Sequence, residues 1–250
     1  EAAKEVVMSC RALFCVVASA ATLLILSCSD DPTTFKATVN VVDYGISYYD
    51  PEMEPPPLEG AQVCEADTNN CVTTDSEGIA ELTLPRSVNG AWTIEKDGYL
   101  PVIVPFNRTS DVSVTTPMGS DELVAGFAAV LGVPYPLTDE GVLTITTSEP
   151  AEEGEDTVGV ADVTYELVEG AAGAVFYVYE DGIPSTTQTS TATPPGWGGF
   201  TEAVPEEAEV RYDGAPDSCT PNLGWPGAAA NTIAMPVRAG FQTQAQIFCP

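Results

Sequence analysis

The run Phe35-Lys36-Ala37-Thr38-Val39-Asn40-Val41 alternates apolar and polar side chains residue by residue. Successive side chains of an extended chain point to opposite faces. A period of two therefore gathers Phe35, Ala37, Val39 and Val41 on a buried face and leaves Lys36, Thr38 and Asn40 to water. Wound as a helix, the same residues would scatter their apolar groups round every side. The segment predicts a half-buried strand, and the chain beyond it repeats the theme. Short stretches rich in Val, Ile, Thr, Tyr and Phe are broken by Gly, Pro, Asn and Asp, the pattern of an all-β sandwich.

Outward from that strand, further strands are expected over Ala61–Glu65, Cys71–Thr74, Gly78–Leu84, Ala91–Lys96, Leu100–Val104 and Val112–Thr115. Asp67-Thr68-Asn69-Asn70 reads as a turn, and the Pro-rich, acidic stretch from Tyr48 to Pro57 as a loop. Ser120 followed by Asp121 and Glu122 offers an N-cap and an acidic first turn. Leu123, Phe127, Val130 and Leu131 would then share a helix face, and Gly132 and Pro134 would stop the helix. A second β set is expected over Val142–Thr147, Val160–Leu167, Ala174–Glu180, Thr187–Ala192, Gly199–Val204, Ala208–Tyr212, Asn231–Val237 and Thr243–Phe248. This divides the chain into a sandwich at 34–117, a short connecting helix within 118–140, and a second sandwich at 141–250.

Of 250 residues, 37 are acidic and 8 basic, for a net charge of −29. Such a field repels phosphates, which argues against nucleic acid as a partner and against direct adsorption to anionic lipid. It favours a soluble monomer. Cations, Ca²⁺ included, are the small partners it would attract, and a loose site from Asp67, Asn69, Asp75 and Glu77 is the candidate, although Asp67–Val72 lacks the Gly an EF-hand loop needs. The chain has no His, which removes Ser-His-Asp and Cys-His catalysis and His-ligated zinc together. No cofactor, no metal and no catalytic residue is expected.

Residues Met8 to Cys28 hold one Arg, Arg11, an uncharged run of 16 residues from Ala12 to Ser27, and then Cys28. A membrane span wants about 20 apolar residues, so this run suits a signal peptide better. Ile25-Leu26-Ser27-Cys28 resembles the lipobox of bacterial lipoproteins. The resemblance implies that residues 1–27 are removed, that Cys28 carries diacylglycerol and further acyl chains, and that residues 28–33 form a tether. Glu1 to Val7 read as an over-extended start. Ser29, rather than Asp, after the Cys implies a protein lipid-anchored in the bacterial cell envelope, at the outer membrane.

With Cys10 and Cys15 in the leader and Cys28 lipidated, Cys64, Cys71, Cys219 and Cys249 remain. An even number in an exported chain reads as two disulfides, with three connectivities open. Cys64 with Cys71 and Cys219 with Cys249 is favoured, because each pair lies within one expected module. None of these four shows the C-x₂₋₄-C spacing of a zinc site.

Pro57-Leu58-Glu59-Gly60-Ala61-Gln62-Val63, Thr73-Thr74-Asp75-Ser76-Glu77-Gly78-Ile79-Ala80, Leu84-Pro85 and Lys96-Asp97-Gly98-Tyr99-Leu100-Pro101 together resemble a carboxypeptidase regulatory-like domain. That family implies a prealbumin-like sandwich related in shape to immunoglobulin modules. Gly173-Ala174-Val175, the stretch Thr193 to Phe200, and Val204-Pro205 resemble a weaker second copy. Trp197, Tyr212 and Trp225, with Gly and Pro around them, are candidate glycan contacts. The expected function is a non-catalytic, lipid-anchored envelope module that binds or scaffolds a protein or glycan partner. The alternatives are a carboxylate-dependent glycan hydrolase and a purely structural surface spacer.

Overall fold

A computed structural model describes residues 33–45, 53–150, 157–179, 182–193 and 195–250. The expected leader, the lipidation site Cys28, Tyr48 and Tyr49 lie outside the described residues. The first half forms β1 (Thr34–Asp43), β2 (Gln62–Glu65), β3 (Cys71–Thr73), β4 (Ile79–Pro85), β5 (Gly90–Glu95), β6 (Val102–Phe106) and β7 (Val112–Met118). After the helix α1 (Asp121–Leu131), the second half begins with β8 (Gly141–Glu149), β9 (Val158–Gly159), β10 (Thr164–Glu169), β11 (Val175–Val178) and β12 (Pro184–Ser185). It continues with β13 (Trp197–Ala203), β14 (Glu207–Asp213), β15 (Thr220–Leu223), β16 (Trp225–Pro226), β17 (Thr232–Pro236) and β18 (Gln242–Phe248).

Strand β1 behaves as its alternation requires. Phe35, Ala37, Val39 and Val41 are buried while Lys36 is exposed. It lies between β4, antiparallel, and β7, parallel, and this small sheet packs on the row β3-β2-β5-β6. Trp92, stacked 5.5 Å from Phe106, fills the space between the layers with Leu82, Leu84, Ile94 and Met118. Fully burying each such side chain stabilises by about 1.5–3 kcal/mol.

The second half repeats the plan. The row β10-β14-β17-β16 faces β12-β11-β13-β8-β18. Its core is built from Leu143, Ile145, Tyr177, Val210, Ile233, Met235 and Ile247. Tyr165 and Tyr177 stack there at 5.7 Å, and burial pushes the Tyr165 phenol above its ordinary range.

The halves are joined by more than a linker. β18 runs parallel to β8 on one side and parallel to β6 on the other, so the large sheets merge into one. Val102 of β6 pairs with Gln242, and Ile103 pairs with Thr243. Val102 belongs to the first core, whereas Ala245 and Ile247, on the same side as Thr243, belong to the second. The two smaller sheets therefore cover opposite faces of one continuous sheet. This is why every residue of β6 is buried.

Side chains reinforce the seam. The Arg108 guanidinium donates to the backbone and side-chain oxygens of Asn222 at 2.9 and 2.8 Å, and Leu223 packs into the first core. Arg238 donates to Asp67 at 2.9 Å while lying over the Phe241 ring.

The helix has the expected caps. Ser120 Oγ accepts from the Leu123 N–H, and Gly132 takes the left-handed conformation at φ 73°. Its apolar face matches the expected one in part, since Leu123 is buried as expected. Val130 is 60% exposed, and it is Val124, Ala128 and Leu131 that line a small apolar cleft with Val142 and Leu137. Those three residues follow i, i+4, i+7 spacing, so they too share a face. Thr187–Ala192 is not a strand. Thr191 there works singly: its Oγ1 accepts from the Val163 N–H and donates to the Val160 carbonyl.

Candidate functional site

Both disulfides join in the favoured connectivity, Cys64 to Cys71 and Cys219 to Cys249. The first pair is brought together by the β2–β3 hairpin, where Cys64 stands directly opposite Cys71. Asp67 takes positive φ in the turn, and the Asn70 amide donates to Glu65 and to the Thr83 carbonyl. The second pair ties the entry of β15 to the end of β18 and is buried.

Two of the three carboxylates considered for calcium, Asp67 and Asp75, are otherwise engaged. Asp67 accepts from Arg238. Asp75 Oδ1 accepts the N–H groups of Glu77 and Ile79, closing the turn that leads into β4. Among the described residues no group of three or more His, Cys, Asp or Glu is placed to hold a metal ion.

Glu209 is the buried carboxylate among the described residues. The Thr232 hydroxyl beside it, then the N–H groups of Ala228 and Ala229, hold its carboxyl below the ordinary range although burial opposes them. It accepts from the Ala228 N–H at 2.8 Å and so pins the loop after β16. A general acid for glycoside hydrolysis needs the reverse, a carboxyl raised by apolar burial. A depression of about 370 Å³ is bordered by Glu54, Glu77 and three consecutive prolines, Pro55, Pro56 and Pro57. Both of its carboxylates are exposed.

The three candidate glycan aromatics are not brought together. Tyr212 is a correction to expectation: it is 3% exposed, directly across from Tyr165 on β10, with its hydroxyl donating to the Cys219 carbonyl. A ring inside the core presents no face to a sugar. Trp225 is half-buried, and its indole N–H donates to the Gly90 carbonyl of the first half at 2.8 Å, so it belongs to the seam. Trp197 lies on β13, half-buried, edge-on to Phe176 at 6.2 Å.

The surroundings of Trp197 were not anticipated. Core residues Leu143, Ile145, Phe200, Ala245 and Ile247 fix which way β8, β13 and β18 face. The alternate residues lie on the opposite side: Val142, Thr144, Thr146 and Ser148 on β8, Trp197 on β13, and Gln242, Gln244 and Gln246 on β18, of which Thr144 and Ser148 are buried and the others half-buried. Pairing sets Trp197 beside Thr146 and Thr146 beside Gln246, one row across three strands. None of these side chains is charged. The Gln-x-Gln-x-Gln alternation of β18 was the available signal in the sequence. The outer faces of both smaller sheets are different, since Lys36 pairs with Glu81 on one and Arg211 with Glu166 and Asp213 on the other.

The fold defines the chain as an all-β protein of two sandwiches built on one shared sheet. No family model matches it, and no curated protein matches it. Among solved structures it is similar to the TIE protein of Bacillus anthracis, at 12% identity and TM-score 0.24 over 87% of this chain and 34% of that one. It is also similar to GBS52, the minor pilin of Streptococcus agalactiae, at 11% identity and TM-score 0.27 over 86% and 96% of the two chains. The shaft pilin SpaA of Lactobacillus rhamnosus GG follows at 10% identity and TM-score 0.24 over 87% and 98%. The chain thus spans about a third of the length of the Bacillus protein, and TM-scores this far below 0.5 carry no argument about function.

Proposed function

We propose that the chain is a non-catalytic module of the bacterial cell envelope, held at the outer membrane by lipid on Cys28, that scaffolds or binds a protein or glycan partner. Its two units, 34–117 and 141–250 with the helical connector between, are read as carboxypeptidase regulatory-like sandwiches. The observation that carries the reading is the placement of β18 between β8 and β6. A shared sheet holds the surfaces of both halves in fixed relation, which is what a scaffold displayed on a lipid tether needs.

Two further features support it. The chain has no His, and the two carboxylates that border the depression, Glu54 and Glu77, are exposed rather than set in an apolar pocket. The lipobox resemblance at Ile25-Leu26-Ser27-Cys28 supplies the anchor. Among the described residues no helix is long and apolar enough to cross a membrane. A spacer without a partner is the second reading, favoured by Tyr212 and Trp225 being used inside the protein.

The anchor is tested by fractionating cells that express the full chain and its Cys28→Ala variant. The parent is expected with membranes and the variant in the soluble fraction, and intact mass should place the mature N-terminus at an acylated Cys28. A variant that stays with membranes refutes the lipid tether.

A further inference from the structure

We infer that the outward face of β8, β13 and β18 binds a neutral glycan, with Trp197 as the stacking ring and Gln242, Gln244 and Gln246 as the hydrogen-bonding floor. The inference rests on the binding-module reading above and names its ligand class. The first support is charge. A chain of net charge −29 repels polyanions over most of its surface, yet the row Trp197, Thr146 and Gln246 carries no charge, Phe176 packs edge-on to the indole, and the carboxylate that borders the face is Glu202, beside Val142. A neutral polyhydroxylated chain neither suffers that repulsion nor requires a buried charge to be paired.

The second support is preorganisation. Gln242 Nε2 donates to Thr144 Oγ1 at 3.0 Å, Gln244 Nε2 to the Pro117 carbonyl at 2.9 Å, and Gln246 Nε2 to Ser148 Oγ at 3.0 Å. A Gln amide has two N–H donors. Gln242 and Gln244 are thus each held by one bond and Gln246 by two, because its Oε1 also accepts from Asn222 Nδ2 at 2.6 Å; each keeps a second N–H for a ligand, so little rotamer entropy is lost on binding.

The third support is shape. The half-buried row Trp197, Thr146 and Gln246 crosses three strands and is roughly 10 Å long, enough for about two sugar rings, while Thr144 and Ser148 are buried. An indole offers such rings a flat apolar surface with a polar edge. The Gln-x-Gln-x-Gln pattern thereby has a role beyond filling a solvent face.

The test titrates the full chain in detergent with cellohexaose and with chitohexaose, both uncharged, and with polygalacturonate, by calorimetry and Trp fluorescence. Saturable binding of at least one neutral oligosaccharide is expected, weakened about tenfold or more in Trp197→Ala and in Gln246→Ala. Glu81→Ala, on the opposite small sheet, should bind as the parent does. Unfolding midpoints of the variants identify any loss that comes from misfolding, and Thr146→Val, which removes one hydroxyl, provides a milder variant on the same row. No saturation by either neutral probe at about 10 mM, unchanged binding in the folded variants, or preference for polygalacturonate overturns the inference. These outcomes leave the Cys28→Ala fractionation result unaffected, so failure of the glycan site and failure of the anchor are distinguishable.

Discussion

Replacing both Cys219 and Cys249 by Ala tests whether the two sandwiches are one thermodynamic body. The bond closes a loop with a sequence separation of 30. In the chain-entropy model such a loop contributes about 12 cal/mol/K, or about 3.7 kcal/mol at 25 °C, by restricting the unfolded chain. Residues 33–250 form one compact unit. At about 2.1 cal/mol/K per residue its unfolding entropy is roughly 460 cal/mol/K, so the midpoint should fall by about 8 °C. Losing two buried sulfurs from the second core pushes in the same direction. The assay is thermal unfolding in a Trp197→Phe/Trp225→Phe background, followed at two places: Trp92, sealed in the first core and then the single Trp, by fluorescence, and the Tyr165–Tyr177 stack of the second core by near-ultraviolet dichroism. Because β18 is bonded to β6, both signals should shift together in one transition. If Trp92 keeps the parental midpoint while the tyrosine signal moves, the shared sheet does not couple the halves and the reasoning fails.

Other outcomes follow from single sites. Ser120→Ala removes the bond to the Leu123 N–H and Gly132→Ala forces a Cβ into positive φ; each should lower stability by about 1 kcal/mol in urea unfolding. Ile233→Ala, at a position with no exposure, should cost about 2–5 kcal/mol by the same measurement. Glu209 has a depressed folded pKa. Its contribution is therefore complete above the unfolded carboxylate pKa and fades as pH falls through the folded value, so the stability gap between parent and Glu209→Gln should narrow on acidification. Unfolding series at several pH values check this, and a gap that widens in acid would contradict the assignment. Disrupting the exposed Asp67–Arg238 pair with Asp67→Asn should change stability by less than about 1 kcal/mol, more at low salt than at high.

The all-β architecture was legible because burial on one side imposes alternation, and Phe35–Val41 shows it plainly. The helix ends were legible because Ser120 and Gly132 are chemically suited to their caps. The helix face was legible in part: Leu123 is buried and Leu131 lines the cleft as expected, but Val130 is exposed while Val124 and Ala128 pack inward, because both sets satisfy helical spacing and only packing chooses between them. β15 and β16 were missed because Pro221, Gly224 and Pro226 look like turn residues, and short strands tolerate them at sheet edges. The merged sheet was illegible for a deeper reason. Gln242–Phe248 declares one buried face by its pattern, but alternation does not encode which strands lie to either side. For the site, Trp197, Tyr212 and Trp225 have similar local sequence settings, and their different depths come from tertiary contacts alone.

The position of β18 also constrains the order of events during biogenesis. Gln242 must find Val102 across an interval of 140 residues, and neither half can complete its sheet until β18, the last of the described strands, arrives. Contacts so remote form slowly. A polypeptide threaded through a translocase from its N-terminus would accordingly remain open and pliable until β18 has emerged, locking only when that strand slides between β8 and β6 on the far side.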